Sequence, residues 1–145
     1  MCSSYATVRG LLHEIPESRS LVVVDTEASP EHLSRATTEA VDLMLVVGEP
    51  YFKSLETARR YAGLGVELGI PRVAMLANKV RNDTDRAAIE AFCDERGIEL
   101  FAVVPYDEVL GDADRAGVAP VDFDAGAVSV RALAEVANRV LATVG

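Results

Sequence analysis

The sequence predicts an α/β fold, a mainly parallel sheet with helices on both faces. Three observations predict it. Continuous apolar runs such as LVVV and LFAVV end abruptly in polar residues, as strands buried on both faces do. Segments of helical periodicity separate these runs, so strands and helices alternate along the chain. Ala and Val are abundant while aromatics make up only 6% of residues, which favours an α/β fold over a β-sandwich.

The elements follow in order. Residues 5–15 (YATVRGLLHEI) place Val8, Leu11, Leu12 and Ile15 on one helical face, and Pro16 closes that helix. LVVVD (21–25) is the first predicted strand. SPEHLSRATTEAV (29–41) opens as a helix, with Ser29 at the cap and Pro30 in the first helical position. DLMLVVGEP (42–50) is a second strand running into a loop, and residues 51–69 form a long amphipathic helix ended by Gly69. PRVAMLANKV (71–80) is a third strand, followed by the polar turn RNDTD. The next helix spans 84–96 and stops at Gly97. IELFAVVPYDE (98–108) is a fourth strand that breaks at Pro105. A short helix, a loop around GVAP and a final helix near 125–143 complete the chain.

The 145 residues suit a single domain over 1–145 that buries a real core. Fourteen basic residues face 23 acidic ones, a net charge of −9 that argues against nucleic-acid or anionic-membrane binding. Two cysteines, Cys2 and Cys93, make no disulfide framework and suit a reducing cytoplasm. No apolar run approaches the roughly 18 residues needed to span a bilayer. His13 and His32 stand apart with no HExxH or CxxC motif, so no intrinsic zinc site is read from them.

Ligands of parallel sheets bind beyond the carboxyl ends of the strands. The residues to read are therefore Asp25, Thr26 and Glu27, then Glu49 and Pro50, Asn78 and Lys79, and Pro105, Tyr106 and Asp107. An acid after a buried strand suits a Mg²⁺ linked to a nucleotide, because a hard cation wants oxygen ligands; it equally suits a helix cap. The Asn78 amide donates and accepts at once, matching the edge of a purine, and Lys79 can cover a ring with its apolar stem. Ordinary turn chemistry explains the pair as well. The rigid VVPYD exit can line a base pocket or merely end a strand.

Taken in this order, the segments resemble the second part of the deviant P-loop ATPases of the MinD/ParA type, and among them the accessory ATPases that mature nickel carbon monoxide dehydrogenase. DTEASPEHLSRATTEAVDLMLVVGEP resembles the family stretch D-x-E-A-G-x-E-H-x-x-R-G with the strand D-x-x-L-V-V-x-E-P after it. SLETARR (54–60) is similar to the helix that follows, PRVAMLANKVR to the strand ending in the adenine-contacting Asn-Lys, and VVPYDEVLGDADRAG to the I-P-Y-D segment. The resemblance implies a partial P-loop NTPase fold of the SIMIBI type. It implies ATP and Mg²⁺ as cofactors, Asp25 as the Mg²⁺-linked acid, Glu27 as a switch-region acid, Asn78 and Lys79 at the adenine, and Pro105, Tyr106 and Asp107 beside the base. It further implies an ATP-dependent homodimer, with carbon monoxide dehydrogenase as client and a Cys-x-Cys metal pair between subunits. Here that pair reads Cys2-Ser3-Ser4, leaving Cys2 as a lone candidate ligand for Ni²⁺ or Zn²⁺.

The family's Gly-rich, Lys-bearing phosphate loop has no counterpart, and no Gly-Lys dipeptide occurs in these 145 residues. Backbone N–H groups and the Lys of that loop cradle the phosphates. The expectation is thus the carboxyl-terminal part of such an ATPase, hydrolysing ATP slowly or not at all alone. Half of a split ATPase completed by a chain supplying the phosphate loop, and a non-catalytic interaction module, are the alternatives; a receiver-like flavodoxin fold is a more distant one. The missing strand belongs between LVVVD and DLMLVV, so these strands either pair directly or leave open edges that invite association. The expected outcome is a melting temperature that rises with protein concentration or with a gap-filling partner. A sharp, concentration-independent melt of a monomer would count against it.

Overall fold

The computed structural model describes residues 21–26 and 41–144. Within them, strand β1 (Leu43–Gly48) leads through helix α1 (Phe52–Glu67) to β2 (Arg72–Val80), then through α2 (Asp83–Arg96) to β3 (Glu99–Pro105). Helices α3 (Glu108–Ala116), α4 (Pro120–Phe123) and α5 (Val128–Val144) follow. The sheet order is β1-β2-β3, and both pairings are parallel. The three predicted strands other than LVVVD, and the helices between them, therefore form as the sequence predicts, with boundaries set by identifiable residues. Gly97 and Gly117 close α2 and α3 at φ of 64° and 65°, in the left-handed region that costs glycine little. Asn82 caps α2 by accepting from the Asp85 N–H at 2.9 Å. Around GVAP the expected loop contains one helical turn, because Pro120 at its start presets the backbone.

LVVVD does not form the predicted first strand. Residues 21–26 enter no strand, and Leu21, Val22, Val23 and Val24 are exposed, Val23 at 79%. An apolar, β-branched run becomes a strand only where a sheet edge receives it. Among the described residues, β1 pairs on one side only and no edge meets this run. The predicted helices over 5–15 and 29–41 lie outside the described residues.

Side chains alternate across β2 and divide the core. Met75 and Ala77 point toward α1 and α2 and pack with Val46, Leu55, Ala58, Ile89, Phe92 and Cys93. Ala74 points the other way, with Phe101, Val104 and Val136 of α5. At the end of β2 the alternation slips. Ala77 lies opposite Val103 while Val80 lies opposite Pro105, so three steps on β2 match two on β3. This bulge returns Val80 to the same buried cluster as Ala77, a face that strict alternation would deny it.

The outer edge of β3 is guarded. The Arg139 guanidinium donates to the Phe101 carbonyl and lies 4.4 Å from the Phe101 ring centroid. Arg72 holds Glu99 through two bonds, at 3.0 and 2.6 Å, and donates to Thr143 of α5 at 3.2 Å. The Arg72 hydrogen bonds keep the Glu99 carboxyl below the usual carboxylate range.

Helix α1 packs closely on the sheet through Gly65, where a Cβ would stand 2.7 Å from Met44 Sδ and 3.0 Å from Val73 Cγ2. Gly63, two residues earlier, has nothing within 4 Å of such an atom. The two substitutions should therefore differ in sign. Gly63→Ala should stabilise by about 0.5–1 kcal/mol through lost unfolded-state entropy. Gly65→Ala should destabilise by about 1–3 kcal/mol, since stiff Val73 cannot yield as a flexible chain end can. Urea denaturation of the two variants measures the difference.

Candidate functional site at the carboxyl ends of the strands

The tips of β1, β2 and β3 meet at one rim of the sheet. Asn78 and Lys79 occupy the β2 bulge, and Lys79 has φ of 57°, the one non-glycine residue at positive φ among those described. The Asn78 side-chain oxygen accepts from the Lys79 N–H at 3.0 Å and props this turn from within. A side chain in the left-handed region costs on the order of 1–2 kcal/mol, so surrounding contacts must hold it there. One of them is visible. Lys79 Nζ donates to Glu49 Oε1 at 2.8 Å, joining the tip of β2 to the tip of β1. The Glu49 hydrogen bond and charge raise the Lys79 ammonium pKa above its ordinary value. Glu49 is set in turn by its own N–H, which donates to Ser54 Oγ at 2.9 Å in the first turn of α1.

Beside the bulge, Tyr106 donates its N–H to the Val80 carbonyl at 2.9 Å, which carries the chain from β3 across the rim. A cleft of about 480 Å³ opens there, bounded by Lys79, Pro105, Tyr106, Asp107, Leu110 and Arg115. Tyr106 is 39% exposed at its mouth. Its ring faces Arg81, whose guanidinium carbon sits 3.9 Å from the ring centroid.

Asp107 ties two helix starts together. One carboxylate oxygen accepts from the Val109 N–H at 3.1 Å and caps α3. The other accepts from the Ser129 N–H at 3.1 Å and from Ser129 Oγ at 2.9 Å, in the first turn of α5. Ser129 is fully buried. Asp107 is thus a clasp between two helix starts, and its oxygens are engaged inside the protein. The bonds from the Ser129 and Val109 N–H groups hold its carboxyl below the usual carboxylate range.

The structure brings together Asn78, Lys79, Pro105, Tyr106 and Asp107 of the residues expected at the site. Asp25 is exposed, in the 21–26 segment that enters no strand. Glu27 and Cys2 lie outside the described residues. No group of three or more His, Cys, Asp or Glu suited to a metal occurs among the described residues. Cys93 is no substitute ligand, being buried beside Met75 with its thiol pKa pushed up by burial. The sequence placed Glu49 among the rim residues without a role and did not single out Arg81. Glu49 was visible only as a post-strand acid, and Arg81 only as part of a polar turn.

A three-stranded parallel sheet with a ligand-sized cleft at its carboxyl rim belongs to a known class. MinD of Pyrococcus horikoshii, solved in complex with Mg-ADP, matches with a TM-score of 0.73 over 94% of this chain and 56% of that one. Sequence identity is 16%, so the likeness is one of fold, that of the MinD/ParA P-loop ATPases. Sequence takes the relationship further. The chain is a homologue of the carbon monoxide dehydrogenase accessory protein CooC of Rhodospirillum rubrum, 37% identical over 124 residues, covering 85% of this chain and 46% of CooC. It is also 38% identical over 128 residues to an uncharacterized ATP-binding protein of Methanocaldococcus jannaschii, covering 88% of this chain and 49% of that protein. The chain spans about half the length of these relatives. No family model matches it. No helix among the described residues is long and apolar enough to cross a membrane.

The Asp107 clasp predicts a pH signature. A lowered carboxyl pKa adds stability that is complete above the unfolded value of about 3.9 and is lost as pH falls through the lower folded value. The Tm gap between the wild type and Asp107→Asn should be widest near neutrality and close in the acid range below that value. A gap that stays constant with pH would remove the charged clasp.

Proposed function

We propose that the chain contributes the adenine-binding part of a MinD/ParA-type ATPase that serves carbon monoxide dehydrogenase maturation. The observation that carries this reading is the 37% identity to CooC across 85% of the chain. The rim supports it. Asn78 offers an amide of the kind that reads a purine edge, one residue from Lys79, which lines the cleft with Pro105 and Tyr106. Lys79, fixed by Glu49, closes one side. Asp107 acts on the base indirectly, by setting the PYD turn between α3 and α5.

The phosphate end draws on other groups in this reading. A phosphate loop from outside these 145 residues supplies the cradle, either elsewhere on the same polypeptide or on a partner chain, and Asp25 with Glu27 completes the site. Mg²⁺, when bound there, neutralises phosphate charge. Assembly is a homodimer or a complex with the chain bearing the loop. Nickel or zinc, if handled, meets the Cys2 thiolate, with carbon monoxide dehydrogenase as client. Homology to ATP-binding proteins favours this reading over the receiver-like alternative.

Two measurements test it. Isothermal titration of the 145-residue chain should give adenosine and Mg-ATP affinities within about tenfold of each other, both weakened by Asn78→Ala. A far stronger preference for Mg-ATP would mean that a phosphate cradle exists within these residues. Absence of any adenosine or ATP binding would overturn the reading. The intact mass of the protein from its source cells separates the two origins of the loop. A mass near 15.5 kDa assigns it to a partner chain, and a markedly heavier one to the same polypeptide.

A further inference from the structure

We infer that Arg81 and Tyr106 form a two-sided clamp for the planar base of a nucleoside, and that this clamp selects the ligand by its ring rather than by its phosphates. The inference rests on the adenine-binding reading of the rim and adds the two groups that hold the base by its faces.

Four observations support it. Tyr106 lines the cleft and keeps part of its ring surface open to solvent. Arg81 lies over that ring, its guanidinium carbon 3.9 Å from the ring centroid, the spacing of a stacked layer. Among the described residues the Arg81 guanidinium enters no ion pair, although the chain has an excess of acids; its side chain is held by the ring alone. The two residues are anchored by backbone contacts independent of their side chains. The Arg81 N–H donates to Asp85 Oδ2 at 3.0 Å, and the Tyr106 N–H to Val80 at 2.9 Å. Fixed backbones with a loosely held guanidinium are the arrangement a clamp needs.

The energetics favour exchange. An exposed cation–π contact is weaker than stacking of a nucleobase on an aromatic ring. A base therefore replaces Arg81 on Tyr106, and the planar guanidinium settles on the base's other face, keeping its π contact. Asn78, at the adjoining bulge, reads the edge of the same ring. Lys in place of Arg81 would keep the charge and lose the plane.

The test uses the 145-residue chain with adenosine and Mg-ATP as probes, followed by titration and by proton NMR of adenine H2 and H8. In the wild type both protons should move upfield on binding, the signature of a ring stacked above or below them. Tyr106→Ala should weaken adenosine binding about 10- to 100-fold and abolish that shift, whereas Tyr106→Phe should retain both. Arg81→Ala should weaken binding about three- to tenfold, and Arg81→Lys should recover only part of the loss. If Arg81→Ala and Tyr106→Ala bind adenosine as the wild type does while Asn78→Ala does not, the clamp is wrong and the nucleotide site stands. Tighter binding by Arg81→Ala would make Arg81 an obstruction and would also overturn the clamp. Failure of the wild type to bind either probe removes clamp and nucleotide site together.

Discussion

Between Ala77 and Val80, strand β2 has one residue more than β3 can match, and much of the rim follows from that surplus. The extra residue inverts the alternation of the strand, so Val80 remains in the core while Asn78 and Lys79 stand at the rim. The local cost is a lysine in left-handed backbone. It is offset by bonds that the same geometry makes available: the Asn78 oxygen on the Lys79 N–H, the Lys79 ammonium on Glu49, and the Val80 carbonyl on the Tyr106 N–H. The first props β2 from within, and the other two join it to the tips of β1 and β3. The bulge is therefore the point at which three strand tips become one surface.

Two helix starts are organised from the same rim. Asp107 leaves β3 through Pro105 and Tyr106 and satisfies N–H groups at the beginnings of both α3 and α5. A single carboxylate at two helix N-termini is favoured by the partial positive charge of each. Ser129 is fully buried beneath it, so its N–H and hydroxyl depend on this carboxylate for their hydrogen bonds. The PYD turn is consequently rigid from two directions, and the cleft beside it has a fixed wall.

Much of this was legible in the sequence. Apolar runs bounded by Gly and polar turns located β1, β2 and β3, because buried parallel strands need little besides hydrophobicity and length. Gly97 marked a helix end through chemistry that is local. LVVVD was misread because strand formation also needs the run to lie along a sheet edge, which is a property of the whole sheet and not of five residues. The roles of Asp107 and Glu49 were hidden for a related reason. Asp107 meets Ser129 across 22 residues and Glu49 meets Lys79 across 30, and neither separation leaves a periodic trace. The bulge was equally silent, since Asn and Lys after a strand look the same whether or not the register slips.

The two borders of the sheet are unlike. On the β3 side, Pro105 lacks an N–H to offer, Arg139 occupies the Phe101 carbonyl, and α5 flanks the strand. On the β1 side, no described residue plays any such part. Among the described residues, then, the sheet offers a further strand the β1 border and closes the β3 one, so a larger sheet built on this unit would extend in one direction only.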